Sequence, residues 1–279
     1  MTRAIPHAAA AAPASFARIL CAVNGTRESK LALQQALALA GADAAVHLLA
    51  VCDARGVGPT RMAELGRSRA EDALRTGRLL ARRAGVAATA ELVEDQDPRH
   101  RLLAEARAHD LLMLGTHGHS RAEGILLGGT ATLALHACEV PVLVARAVPS
   151  GRAIGERVLV ASDGSPGIRR AAEIAGAIAA RAGGHATLLH VTERDRREIR
   201  RELAQEATDL FLATGTEPVV STIPGRPADA IVGAAAEHET TLLVLGSRGL
   251  GGVRALASVS ERVGATAGCP VLVLRSGLR

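Results

Sequence analysis

Short apolar runs without polar alternation recur along the chain, at 19–23, 46–51, 88–93, 111–114 and 142–145. Runs of that length and make-up suit strands covered on both faces. The intervening segments 28–40, 62–84, 98–109 and 130–137 have helical length and composition, and Pro98 stands where a first helical turn tolerates proline. The later part of the chain repeats the alternation, with helices expected near 167–181, 194–212, 228–238 and 258–266. Alternating strand and helix predicts an α/β fold, a parallel sheet with helices on both faces and right-handed crossovers.

The alternation is one unit written twice. "RILCAVNGT" (18–26) matches "RVLVASDGS" (157–165), "LLMLGTHG" (111–118) matches "LLVLGSRG" (242–249), and "VPVLVAR" (140–146) matches "CPVLVLR" (269–275). The offsets are 139, 131 and 129 residues, so the halves are collinear apart from a deletion in the middle and a shortening of the last glycine loop. The expected organisation is a disordered tail over 1–16, a first domain over 17–147, a linker over 148–156 and a second domain over 157–276. Each domain is expected to be doubly wound around five parallel strands. A length of 279 residues is enough for two such cores.

Composition narrows the function. The chain is 48% apolar but only 1% aromatic, without Trp or Tyr, so it lacks the stacking platforms of single-strand nucleic-acid binders. The net charge of +5 comes from arginines interspersed with acids, and Lys30 is the only lysine. No basic stripe or groove-reading motif accompanies it, and no nucleic-acid partner is expected. Cys21, Cys52, Cys138 and Cys269 lack metal-ligand spacing and read as buried reduced thiols of a cytoplasmic protein. No membrane span is expected, and the Ala-rich, Pro-interrupted start reads as a tail rather than a signal peptide.

In doubly wound sheets ligands bind beyond the carboxyl ends of the strands, at the switch point. Standing there are "NGT" and "DGS" after the first strand of each half, and glycine loops after the fourth. In "GTHGHSRAEGILLGGT" (115–130), glycines lead from a strand into a helix whose N–H groups and positive end suit phosphate oxygens. Gly115 and Gly118 would let the backbone bend and approach closely, Gly128 and Gly129 precede the helix, and Thr130 adds a hydroxyl. Glycines also close turns that hold no ligand, and the loop alone leaves both possibilities open. His117 and His119 have no carboxylate at ligand spacing, so no metal site is expected, and they read as phosphate-facing or solvent-facing with Arg121 nearby. Asp97 in "VEDQDP" reads as a helix cap rather than half of an acid pair. No nucleophile has a recognisable base, so no catalytic residue is assigned.

A strand ending in Asp-Gly-Ser, a later Gly-x-x-Gly, nine residues, a Gly-Ser or Gly-Thr helix start and a closing "PVLV" strand together resemble the universal stress protein family in its tandem form. The resemblance spans nearly all of 17–275. It implies a five-stranded parallel α/β domain, twice, and a regulatory protein of stress or growth control rather than an enzyme. One class of the family binds ATP or related adenine nucleotides and another binds none. Carried over by position, it assigns to a nucleotide, with or without Mg²⁺, Asn24, Val51, Gly115, Gly118, Gly128, Gly129 and Thr130 in the first half. In the second half it assigns Asp163, Val191, Gly246, Gly249 and Ser258. Val51 and Val191 would lie beside the adenine. Two departures mark the first half: Asn24 replaces the family's Asp, and Gly129 stands where Ser or Thr is usual. In the second half only seven residues separate Gly249 from Ala257, so the first loop is the better phosphate cradle. The alternatives are a ligand-free scaffold acting through protein partners, and a slow ATP hydrolase. A ligase or flavoprotein on a similar sheet is disfavoured, since the repeats leave no substrate domain. The resemblance further implies that "VPVLVAR" and "CPVLVLR" are interface strands, able to pair with each other as an internal pseudo-dimer and leaving room for a homodimer.

Overall fold

The computed structural model describes residues 16–54, 60–116, 127–162, 168–192, 219–246 and 253–274. The expected tail over 1–16, apart from Phe16, and the helix expected at 194–212 lie outside them, as do His117, His119 and Arg121. The first half runs β1 (Arg18–Ala22), α1 (Arg27–Leu39), β2 (Ala45–Asp53), α2 (Thr60–Arg83), β3 (Ala87–Asp95), α3 (Pro98–Ala106), β4 (Leu111–Gly115), α4 (Gly129–Ala137) and β5 (Val142–Ala145). The second half adds β6 (Arg157–Ser162), α5 (Ile168–Arg181), β7 (His185–Thr192), β8 (Val219–Pro224), α6 (Pro227–Glu237), β9 (Leu242–Leu245), α7 (Val253–Thr266) and β10 (Val271–Val273).

The ten described strands form one sheet in the order β3-β2-β1-β4-β5-β10-β9-β6-β7-β8. Each half is parallel within itself. The join is antiparallel, with Val271 opposite Val144, Leu272 opposite Leu143 and Val273 opposite Val142. The matched "PVLV" segments thus pair with each other inside one chain. In each half the order reverses between the first and fourth strands, and a crevice opens at their carboxyl ends.

Side chains of the strands alternate between two cores. Ile19, Cys21, Leu111 and Met113 pack under α1, α2 and α5, whereas Leu20, Leu112 and Leu114 pack under α3, α4, α6 and α7. The halves also cap each other's helices. The Arg146 guanidinium donates to the carbonyls of Gly264 and Ala265 at the end of α7. Arg181 donates to the carbonyl of Leu39 at the end of α1, 2.8 Å away, where α1 has no basic residue of its own. A cation at a helix carboxyl terminus offsets the dipole and satisfies orphan carbonyls. The segment joining the halves is packed: Thr241 Oγ1, fully buried, accepts from the amides of Gly155 and Arg157.

On β2 of the first half, the ring of His47 lies 5.4 Å from that of His109. Burial, then the neighbouring His109, hold its pKa below the ordinary 6.5, against the opposing pull of Glu91 and Glu105. A histidine favoured neutral in the fold contributes stability above its unfolded pKa and loses it as pH falls through that value. We therefore expect the thermal midpoint to fall as pH drops below about 6.5, and His47→Gln to flatten that slope. An unchanged slope in the variant would place the acid sensitivity elsewhere.

Candidate functional site

The first-half crevice is built by three local structures. After β1, Asn24 Oδ1 accepts from the amide of Thr26 at 3.1 Å and from its hydroxyl at 2.7 Å, and Gly25 adopts φ +79°. This Asx turn presents Thr26 as the N-cap of α1, where its hydroxyl accepts from the Ser29 amide. After β3, Asp95 Oδ1 accepts from the Asp97 amide, and Asp97 caps α3 by accepting from the His100 amide, with Pro98 in the first turn. Both carboxylates of "VEDQDP" nearest the helix are therefore committed to the turn. After β4, the Gly128 amide donates to the Thr116 carbonyl at 2.6 Å and closes the neck of the glycine loop.

Gly128 is the N-cap of α4, at φ −71° and ψ 155°, and no side chain caps the helix there. Among the described residues no side chain takes up the first N–H groups of α4, as a helix start leaves them unless a cap intervenes. Asn24, Val51, Gly115, Gly128, Gly129 and Thr130 all line one cavity of about 360 Å³ at the carboxyl ends of β1, β2 and β4. A wider groove of about 890 Å³ adjoins it, sharing Pro98, Arg99, Gly129 and Thr130 as a common wall. The six first-half residues named by sequence within the described segments thus meet in one place. Gly118 lies outside those segments.

Gly115 has a different cause from the one expected. A β-carbon there would stand 2.7 Å from the carbonyl carbon of Glu28 and 2.9 Å from its oxygen. The neighbour that demands glycine is the first turn of α1. Ligand approach is not needed to explain it. Arg99 and Thr116 were missed by sequence reasoning. Arg99, the second residue of α3, is exposed and makes no ion pair or hydrogen bond among the described residues. The only signal for it was a cation directly after the helix-opening Pro98.

Among the described residues the second half does not repeat this arrangement. Asp163 and Gly249 lie outside the described residues. Val191 and Gly246 stand at the carboxyl ends of β7 and β9. Ser258, expected to open a helix, is in the interior of α7, which begins at Val253 and runs 14 residues against 9 for α4. The offset that aligns the last strands puts Ala257 where Gly128 caps α4. With Arg254, Ala255, Leu256 and Ala257 in place of glycine, the helix extends backward, because these are strong helix formers. The backbone N–H of Ser258 is then committed within α7.

Among the described residues no group of three His, Cys, Asp or Glu side chains could hold a metal ion, and no helix is long and apolar enough to cross a membrane. None of the four cysteines forms a disulfide. Burial pushes the Cys21 thiol up to about 12 and the Cys269 thiol to about 11, which leaves both unreactive near neutral pH.

Comparison with known proteins agrees with the fold. A family model described as the universal stress protein family matches residues 15–146 and again 155–275. The universal stress protein in the QAH/OAS sulfhydrylase 3'region of Thermus aquaticus is 34% identical over 133 residues, covering 42% of this chain and 97% of that protein. The crystal structure of a universal stress protein from Archaeoglobus fulgidus DSM 4304 superposes with a TM-score of 0.75 at 25% identity, over 94% of this chain and 96% of the other. A protein from Pseudomonas aeruginosa UCBPP-PA14, solved as a putative universal stress protein, matches in fold with a TM-score of 0.69 at 18% identity and 94% coverage of both chains. With both halves matched separately and one sheet uniting them, the chain belongs to the universal stress protein family.

Proposed function

We propose that this protein is an adenine-nucleotide-binding regulatory protein with a single working site, in its first half, and a second half that serves as a ligand-free partner domain. The observation that carries this is the cavity of about 360 Å³ against the uncapped N-terminus of α4. Free backbone N–H groups, a helix dipole and a hydroxyl at Thr130 make up a donor set suited to phosphate. The apolar wall formed by Leu49, Val51 and Leu102 offers a flat base a place out of water. In the second half, the backward extension of α7 takes up the N–H groups that the same cradle would need. The organisation we infer is therefore two domains of one fold, 17–147 and 157–276, with unequal roles.

No Asp, Glu or His lines the cavity among the described residues, so no side chain is placed to activate a water for attack. Any hydrolysis would be slow, and bound nucleotide would act by changing the surface offered to a protein partner. Cysteines without disulfides suit a reducing, cytoplasmic setting. The test is to denature freshly purified full-length protein, identify released nucleotide by chromatography and mass, and titrate ATP into the emptied protein. Recovery of an adenine nucleotide, or a titration reaching one ATP per chain, supports the assignment. No nucleotide and no heat would assign the protein to the ligand-free scaffolds.

A further inference from the structure

The first-half cavity combines two departures from the family pattern. Asn24 replaces a carboxylate, and its Oδ1 is already occupied by the amide and hydroxyl of Thr26. Gly129 replaces a residue with a β-carbon and a hydroxyl. The space this opens is filled from α3: a β-carbon at position 129 would stand 3.0 Å from Cζ and Nη1 of Arg99 and 3.1 Å from Nη2. The guanidinium therefore lies flat against the first residue of α4, on the wall shared by the cavity and the adjoining groove. It is the one charged side chain among the described residues lining the cavity.

Among the described residues that line the cavity, a polyphosphate meets positive charge and no carboxylate that could share a divalent ion with it. The adjoining groove does carry Asp53, Asp97, His100 and His136. Asp97 accepts from the His100 amide and lies 2.7 Å from its Nδ1, so it is engaged within its own helix start. A bound Mg²⁺ needs oxygen ligands, commonly one or two carboxylates with the phosphates. The described lining of the cavity offers no such carboxylate and does not fit that ion.

We propose that Arg99, seated in the space left by Gly129, is the counter-ion for the ligand's phosphates, and that it replaces a divalent cation in this site. This rests on the nucleotide assignment above and extends it to the charge state of the ligand. The planar fork of a guanidinium can donate two parallel hydrogen bonds to a phosphate, and the α4 N–H groups complete the shell on the other side. Arg99 then sets specificity by phosphate charge, whereas the apolar wall sets it by base.

The test is calorimetric titration of the full-length protein with ATP, AMP and adenosine, each in excess EDTA and again in millimolar Mg²⁺, for the wild type and for Arg99→Gln. We expect wild-type ATP affinity to be the same within about twofold with and without Mg²⁺. Arg99→Gln should weaken ATP by about tenfold or more, the scale of one charge-assisted hydrogen-bonded contact, and leave adenosine unchanged. Arg99→Lys should recover part of the loss, and Gly129→Ser should weaken ATP by displacing the guanidinium. Arg99 is exposed and has no hydrogen bond or ion pair among the described residues, so the thermal midpoint of Arg99→Gln should match the wild type and exclude misfolding as the cause. If wild type and Arg99→Gln bind ATP equally, or if ATP binds only with Mg²⁺, the role of Arg99 is refuted while the nucleotide assignment stands. If the wild type binds none of the three ligands, both fall together.

Discussion

Gly128→Asp should abolish ATP binding and leave the protein at least as stable as the wild type. Gly128 already has the extended conformation of an N-cap, at φ −71° and ψ 155°, which aspartate adopts without strain. The new carboxylate would accept from the amides of Thr130 or Ala131, the donors that a phosphate would otherwise use. Capping and the helix dipole together would add a few tenths to about 1 kcal/mol of stability. For the ligand the same charge is repulsive. A unit charge about 4 Å from a phosphate charge at an effective dielectric constant of about 20 costs about 4 kcal/mol, close to a thousandfold in affinity. Gly128→Asn separates the two contributions, since it caps the helix without the charge and should lose much less affinity. Calorimetry paired with thermal melts reads both effects. ATP binding by Gly128→Asp at wild-type strength would mean that no phosphate sits at the start of α4.

The opposite signs of these two effects show what a glycine in this loop is for. Helix stability alone would favour Asp, Ser or Asn at position 128, and a glycine there leaves the first turn of α4 underserved. Local rules broken without structural gain tend to mark functional places. The second half shows the alternative outcome. There Ala257 takes the matching position and the helix runs through it, gaining length and losing the cradle.

Most of the architecture was legible in the sequence because buried parallel strands leave unbroken apolar runs, and the repeat fixed their order twice. The β5–β10 pairing was expected as a possibility from the family resemblance that the two "PVLV" segments carry. The start of α7 was misplaced because register with the first half suggested a glycine-type start, whereas the local run from Val253 to Ala257 has the composition of a helix interior. Arg99 escaped notice because its role depends on contact with α4, some thirty residues later, and no local pattern encodes that approach. The reciprocal caps by Arg146 and Arg181 were hidden for the same reason: each arginine serves a helix end in the other half.

Gly115→Ala is expected to lower stability by about 2 kcal/mol or more, on the scale of overpacked cores, and to shift the thermal midpoint down by about 5 °C for a chain of this size. The added β-carbon would lie 2.7 Å from the Glu28 carbonyl carbon and 2.8 Å from its β-carbon. The carbonyl carbon is backbone and cannot rotate away, so either β4 or the first turn of α1 must move. Moving α1 would disturb the Thr26 cap and, through the Thr26–Asn24 hydrogen bonds, the wall of the cavity. ATP affinity should therefore fall together with stability in Gly115→Ala, in contrast to Gly128→Asp, where binding is lost and stability is kept. Thermal melts with and without saturating ATP distinguish the causes. A variant as stable as the wild type that binds no ATP would show that position 115 is shaped by the ligand. A destabilised variant whose residual binding tracks its folded fraction would assign Gly115 to the packing of α1 against β4, with the phosphate contacts left to Gly128, Gly129 and Thr130 at the start of α4.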